Sequence, residues 1–82
     1  MINSKIILKE FNGNSEAPED CDPQENYWLL IGRKGKIVKE MNSRSRVLVQ
    51  FNESVSELGL HCHNEVPNSL YILLSDIEFI NE

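Results

Sequence analysis

Lys36-Ile37-Val38-Lys39, Asn42-Ser43-Arg44-Ser45 and Arg46-Val47-Leu48-Val49-Gln50-Phe51 decide the fold. The first and last segments are short, apolar and rich in β-branched residues. The middle one is turn chemistry, so the three read as strand, turn and strand. Val47, Val49 and Phe51 fall at every second position, which places them on one face of an extended chain.

Toward the C-terminus, Ser54 and Glu57 have capping-box spacing ahead of Leu58, but Gly59 follows too soon for more than one helical turn. Leu60-His61-Cys62-His63 reads as a short strand closed by Asn64-Glu65-Val66-Pro67-Asn68. Leu70-Tyr71-Ile72-Leu73-Leu74 is a clear strand. Ser75-Asp76 breaks it, and Ile77-Glu78-Phe79-Ile80 makes a last short one.

Toward the N-terminus, Tyr27-Trp28-Leu29-Leu30-Ile31 reads as the strongest strand, stopped by Gly32, with Arg33-Lys34-Gly35 as a tight turn. Residues 12–26 form an acidic loop with five carboxylates, two prolines and no basic residue. Loops of that length are usually functional or mobile. Ile6-Ile7-Leu8, with Phe11 close behind, reads as an N-terminal strand ending at Asn12-Gly13-Asn14. No window holds the 3.6-residue apolar period of an amphipathic helix. The fold class is therefore all-β, five to six short strands with at most one helical turn.

The chain has 82 residues, enough for a single domain over 1–82. A domain of that size hides only about 60–65% of its unfolded surface. Eight basic against thirteen acidic residues give a net charge of −5, which argues against a whole-surface nucleic-acid or anionic-membrane binder. No run approaches the roughly 20 apolar residues of a membrane span. Lys5 and Lys9 interrupt the start from Met1 to Phe11, which does not read as a signal peptide, so a cytoplasmic location is expected. Cys21 and Cys62 are too few for a disulfide scaffold and are expected to be reduced.

Residues 31–38, Ile31-Gly32-Arg33-Lys34-Gly35-Lys36-Ile37-Val38, resemble the glycine-turn hairpin of SH3-like small β-barrels. The close of the chain resembles them too: the strand Leu70 to Leu74, a tight turn at Ser75-Asp76, and a short last strand. The resemblance covers residues 27–80 and implies a small barrel, with the N-terminal strand and acidic loop added outside it. It also implies a protein that binds peptides, RNA or partner subunits, most members being non-enzymatic. Peptide-binding members line a groove with several aromatics. Here only Tyr27, Trp28 and Tyr71 offer themselves, with no aromatic cluster in the loops, which counts against a proline-rich ligand.

Charge is sharply patterned. Arg33, Lys34, Lys36, Lys39, Arg44 and Arg46 lie within fourteen residues, opposed there only by Glu40, and no Lys or Arg follows Arg46. If this segment forms a hairpin, it makes a positive edge on a negative body. His61 and His63 would share a strand face and could reach one ion, but a structural zinc site needs four ligands. No metal or cofactor is expected, and a metal-dependent function through that pair ranks third. Cys62 points away from its neighbouring histidines on a strand, and the acids around Cys21 would raise its thiol pKa, so neither reads as a nucleophile. No catalytic motif is present, and no enzyme activity is expected.

Both faces of Tyr27–Ile31 and of Leu70–Leu74 are apolar, more than one barrel interior can cover, so either the N-terminal strand and the long loop or another protein chain is expected over them. The expected function is a non-enzymatic binding module acting through protein–protein contact, with a protein partner or its own copy. An inhibitor or immunity-type partner of a basic protein falls inside it. The alternative is an accessory nucleic-acid-contacting domain using the basic hairpin 33–46. The residues expected to carry binding are Tyr27, Trp28, Tyr71, Arg33, Lys34, Lys36, Arg44 and Arg46.

Overall fold

The computed structural model describes residues 2–62 and 64–80. Five strands form one antiparallel sheet: β1 Lys5–Leu8, β2 Lys34–Lys39, β3 Arg46–Phe51, β4 Ser69–Leu73 and β5 Ile77–Phe79. Their order across the sheet is β4-β3-β2-β1-β5. The class is all-β, as the alternating patterns require. Helical geometry among the described residues is confined to four single 3-10 turns, Pro23–Glu25, Tyr27–Leu30, Ser56–Leu58 and Leu74–Asp76, rather than the one expected near Ser54.

The hairpin forms as its sequence dictates. Gly35 faces Phe51, Lys36 faces Gln50 and Ile37 faces Val49, and then the register shifts so that Lys39 faces Leu48, a bulge at Val38. Ile37, Val47, Val49 and Phe51 are buried in the core with Ile6, Leu8 and Ile72. Gly35 is fixed by closeness. A Cβ there would stand 2.6 Å from the Gln50 carbonyl oxygen and 3.1 Å from the Phe51 Cα, both backbone atoms that cannot give way.

Several sequence expectations are corrected. Tyr27–Ile31 is not a strand. Tyr27–Leu30 is a 3-10 turn, with the Leu29 amide on the Asn26 carbonyl at 3.2 Å and the Ile31 amide on the Trp28 carbonyl at 3.2 Å. Leu30 is fully buried beneath it. The neighbouring β1 has no free edge to offer, because β2 and β5 already occupy both. The tight turn lies at Ile31-Gly32, where Gly32 has φ +89°, and Gly35 sits inside β2. Leu60 to Cys62 joins no ladder, and His63 lies outside the described residues. The N-terminal strand is not an addition, because β1 is an interior member of the sheet.

The sheet is also open rather than a closed barrel. β4 and β5 are its two edges, and among the described residues no ladder joins them. The 3-10 turn Leu74–Asp76 spans the gap instead. The Asp76 carbonyl accepts the Lys9 and Glu10 amides at 2.9 and 3.2 Å, and its buried carboxylate accepts the Gly13 amide at 3.2 Å. A buried carboxylate needs such donors. This one ties the chain after β1 to the turn before β5.

Candidate functional site

The 25 residues between β1 and β2, from Lys9 to Arg33, are built from turns that support one another. Phe11 and Asn14 bridge each other through two backbone hydrogen bonds, at 2.9 and 3.1 Å, so that Phe11 folds back onto the core. The Asp22 side chain accepts the Gln24 amide at 2.9 Å and caps the turn Pro23–Glu25. The Gln24 carbonyl accepts the His61 amide at 2.9 Å, and the Tyr27 hydroxyl donates to the His61 carbonyl at 2.6 Å. Gln24 and Tyr27 are therefore both held against residue 61.

These turns bring three aromatic rings together. Phe11 stacks edge-on to Trp28 with ring centres 4.9 Å apart and lies tilted to Tyr27 at 5.4 Å. The cluster forms the floor of an open groove of about 460 Å³, whose walls are Asn12, Asp20, Cys21, Asp22 and Glu25. Three exposed carboxylates and three rings share this lining, and no cation lines the groove among the described residues. Burial above all, then the charge of Glu25 and that of Cys62, raises the Tyr27 phenol above its ordinary 10.0, so at neutral pH it stays protonated and donates. Trp28 Nε1 and Asn26 Oδ1 are buried with no hydrogen-bond partner among the described residues.

The aromatic cluster that the sequence did not reveal is thus present, and Phe11 is its missing member. The signal for it was the Asn12-Gly13-Asn14 turn, which returns the chain and tucks Phe11 inward. Tyr27 and Trp28 stand together in this groove. Tyr71 stands elsewhere, on β4 opposite Leu48, with 37% of its surface exposed.

The basic residues do not form one edge. Arg33 is paired with Glu53. Arg44 lies in the β2–β3 turn, its amide on Asn42 Oδ1 at 2.9 Å. Arg46 donates to Asn12 Oδ1 at 2.9 Å and to the Tyr71 carbonyl at 3.3 Å, a strut from β3 to the groove wall. Lys34 and Lys36 project from the opposite end of the β2–β3 ladder and line a second cavity with Lys5, a residue remote from the basic run in sequence.

Cys21 and Cys62 are free, half-buried thiols. Cys21 donates to the Asp22 carbonyl at 3.5 Å, and Cys62 to the Ser69 carbonyl at 3.1 Å. Among the described residues no group of three or more His, Cys, Asp or Glu is gathered as metal ligands, and the His61–His63 pair falls partly outside them. No described helix is long and apolar enough to cross a membrane. No protein-family model, curated protein or solved structure matches this chain.

Proposed function

We propose that this protein is a non-enzymatic binding module whose groove takes a cationic segment of a basic protein partner. One observation carries the reading: three rings, Phe11, Tyr27 and Trp28, and three carboxylates, Asp20, Asp22 and Glu25, line one groove. A guanidinium or ammonium over a Trp or Tyr face gains from the ring quadrupole, and a carboxylate beside it adds a charge-assisted hydrogen bond. Arginine suits such a site better than lysine because its planar fork stacks and pairs at once. The net charge of −5 steers a basic partner toward it. An inhibitor or immunity-type role toward a basic protein is the biological form this takes, in the cytoplasm with both thiols reduced. Kinship with SH3-like barrels is supported by the closing run of strand, 3-10 turn and short strand over Ser69–Phe79.

The alternative of a nucleic-acid contact through residues 33–46 has less support, because Arg33 and Arg46 are engaged within the chain and the lysines lie at the far end of the ladder. Self-association through Tyr27–Ile31 loses its strand, and only the exposed Tyr71 face of β4 keeps that argument.

Trp28 is the sole tryptophan, so its fluorescence reports on the groove alone. Arginine-containing peptides should shift its emission saturably, and matched peptides with citrulline in place of arginine should not. Asp20→Asn with Glu25→Gln should abolish the response and leave the fold intact, since both acids are exposed and cap nothing. If no basic peptide perturbs Trp28, or if the double variant binds as well as the wild type, the groove is not the binding site.

A further inference from the structure

We propose that the cavity lined by Lys5, Lys34 and Lys36 is an anion site for the phosphate group of a small ligand. Lys5 of β1 stands directly opposite Lys36 of β2, and Ile7 opposite Lys34. Opposed residues in an antiparallel pair share a face, and positions two apart share it as well, so Lys5, Lys34 and Lys36 all rise from one side of the sheet.

Asn3, Gly35, Asn52 and Ile80 complete the lining. Asn3 and Asn52 stand at the rim, Asn3 fixed by its amide on the Ile37 carbonyl at 2.7 Å and Asn52 by its amide on the Lys34 carbonyl at 3.0 Å. Their side-chain amides add neutral donors to the cationic ones. Among the described residues no acid lines the cavity. The acid of β5 on the same face, Glu78 opposite Ile7, is turned to Lys9 Nζ at 3.8 Å. Lys5 and Lys34 also interact with other groups of the chain, and together with Lys36 they bring three positive charges to the cavity.

The cavity measures about 280 Å³. That is just below the usual range of small-ligand pockets, roughly 300–1,000 Å³, and suits a phosphate with little attached. A nucleic-acid backbone would need a continuing row of cations. Instead the face runs from Lys36 to Gln50 and Ser69 across the sheet, while Arg44 and Lys39 stand at the other end of the hairpin. In a chain of net charge −5, three of eight cations gather at this one cavity.

The test is a titration of the full ¹⁵N-labelled chain with inorganic phosphate, against sodium chloride at equal ionic strength. Saturable shifts confined to the amides of Asn3, Lys5, Lys34, Gly35, Lys36 and Asn52 are expected with phosphate alone. Lys36→Gln should weaken phosphate binding by about tenfold or more, the loss that follows from removing one charge-assisted hydrogen bond. The shifts of residues outside the cavity should stay as in the wild type. Glycerol phosphate should bind at least as well as inorganic phosphate. Linear shifts that chloride reproduces, shifts mapping elsewhere, or an unchanged affinity in Lys36→Gln would each overturn the site. Tighter binding of a single-stranded RNA than of glycerol phosphate, with log-linear loss in salt, would overturn the small-ligand assignment.

Discussion

Tyr27-Trp28-Leu29-Leu30-Ile31 and Leu70-Tyr71-Ile72-Leu73-Leu74 are near twins in composition and take different shapes. The second lies along β3 in unbroken register, from Arg46 opposite Leu73 to Gln50 opposite Ser69. The first winds into a 3-10 turn and then reverses at Gly32. Each buries one aliphatic side chain completely, Leu30 in the turn and Ile72 in the strand. An apolar run thus marks a segment that is anchored in the core, and it does not fix the backbone geometry of the anchor: β4 pairs with β3, whereas Tyr27–Leu30 closes on its own carbonyls.

The largest effects test that equivalence. Leu30→Ala and Ile72→Ala should each destabilise the chain by about 2–5 kcal/mol, the range for buried large-to-small changes. Denaturant melts measure both. A loss below about 1 kcal/mol at Leu30 alone would make the turn an ornament on the sheet and break the comparison.

Gly35→Ala should cost about 1–3 kcal/mol, as overpacking against backbone does. Its Cβ can be relieved only if β3 moves away from β2. A variant as stable as the wild type would mean that the hairpin strands do not approach as closely as the Gln50 carbonyl implies.

Asp76→Ala should cost about 1 kcal/mol or more and speed hydrogen exchange at the Gly13 amide, because that amide loses its carboxylate. Exchange at the Ile72 amide in β4 should change less. Uniform acceleration of both would show that Asp76 supports the whole sheet and not the turn region specifically.

Tyr27 separates the two segments by pH. Its phenol is raised above 10.0 in the folded chain, so the protonated form is favoured by folding. The associated stability is complete below that ordinary value and is lost as pH rises through the raised one. Melts carried upward from below pH 10.0 should show this loss, and Tyr27→Phe should diminish it. An identical alkaline profile in the variant would remove Tyr27 as its cause.

The smallest effect belongs to Tyr71. Tyr71→Ala should change stability by no more than about 0.5 kcal/mol, as exposed substitutions do. A larger loss would place Tyr71 over the buried Leu48 opposite it, as a lid on the second face of the sheet.

All five strands were legible before the structure. β1 to β5 carry period-two patterns or compact β-branched runs bounded by turn residues, and both are local features. The aromatic groove was half legible. Tyr27 and Trp28 stood out by type, but Phe11 looked like the end of a strand until the Asn12-Gly13-Asn14 turn was seen to fold it back. The lysine cavity was less legible still. Lys34 and Lys36 belonged to a visible basic run, whereas Lys5 joins them only through the β1–β2 register.

The sequence by itself determined the class, the hairpin, the closing strand-turn-strand and the split of the chain into acidic and basic stretches. Each follows from residues within a few positions of one another. The tertiary structure alone decided that β1 is interior, that Tyr27–Leu30 winds as a turn, that the sheet stays open, and that the basic run divides. Those outcomes depend on which edge of which strand is free and on what stands across the ladder. Edges and cross-strand neighbours are set by long-range pairing, and a local pattern carries no record of it.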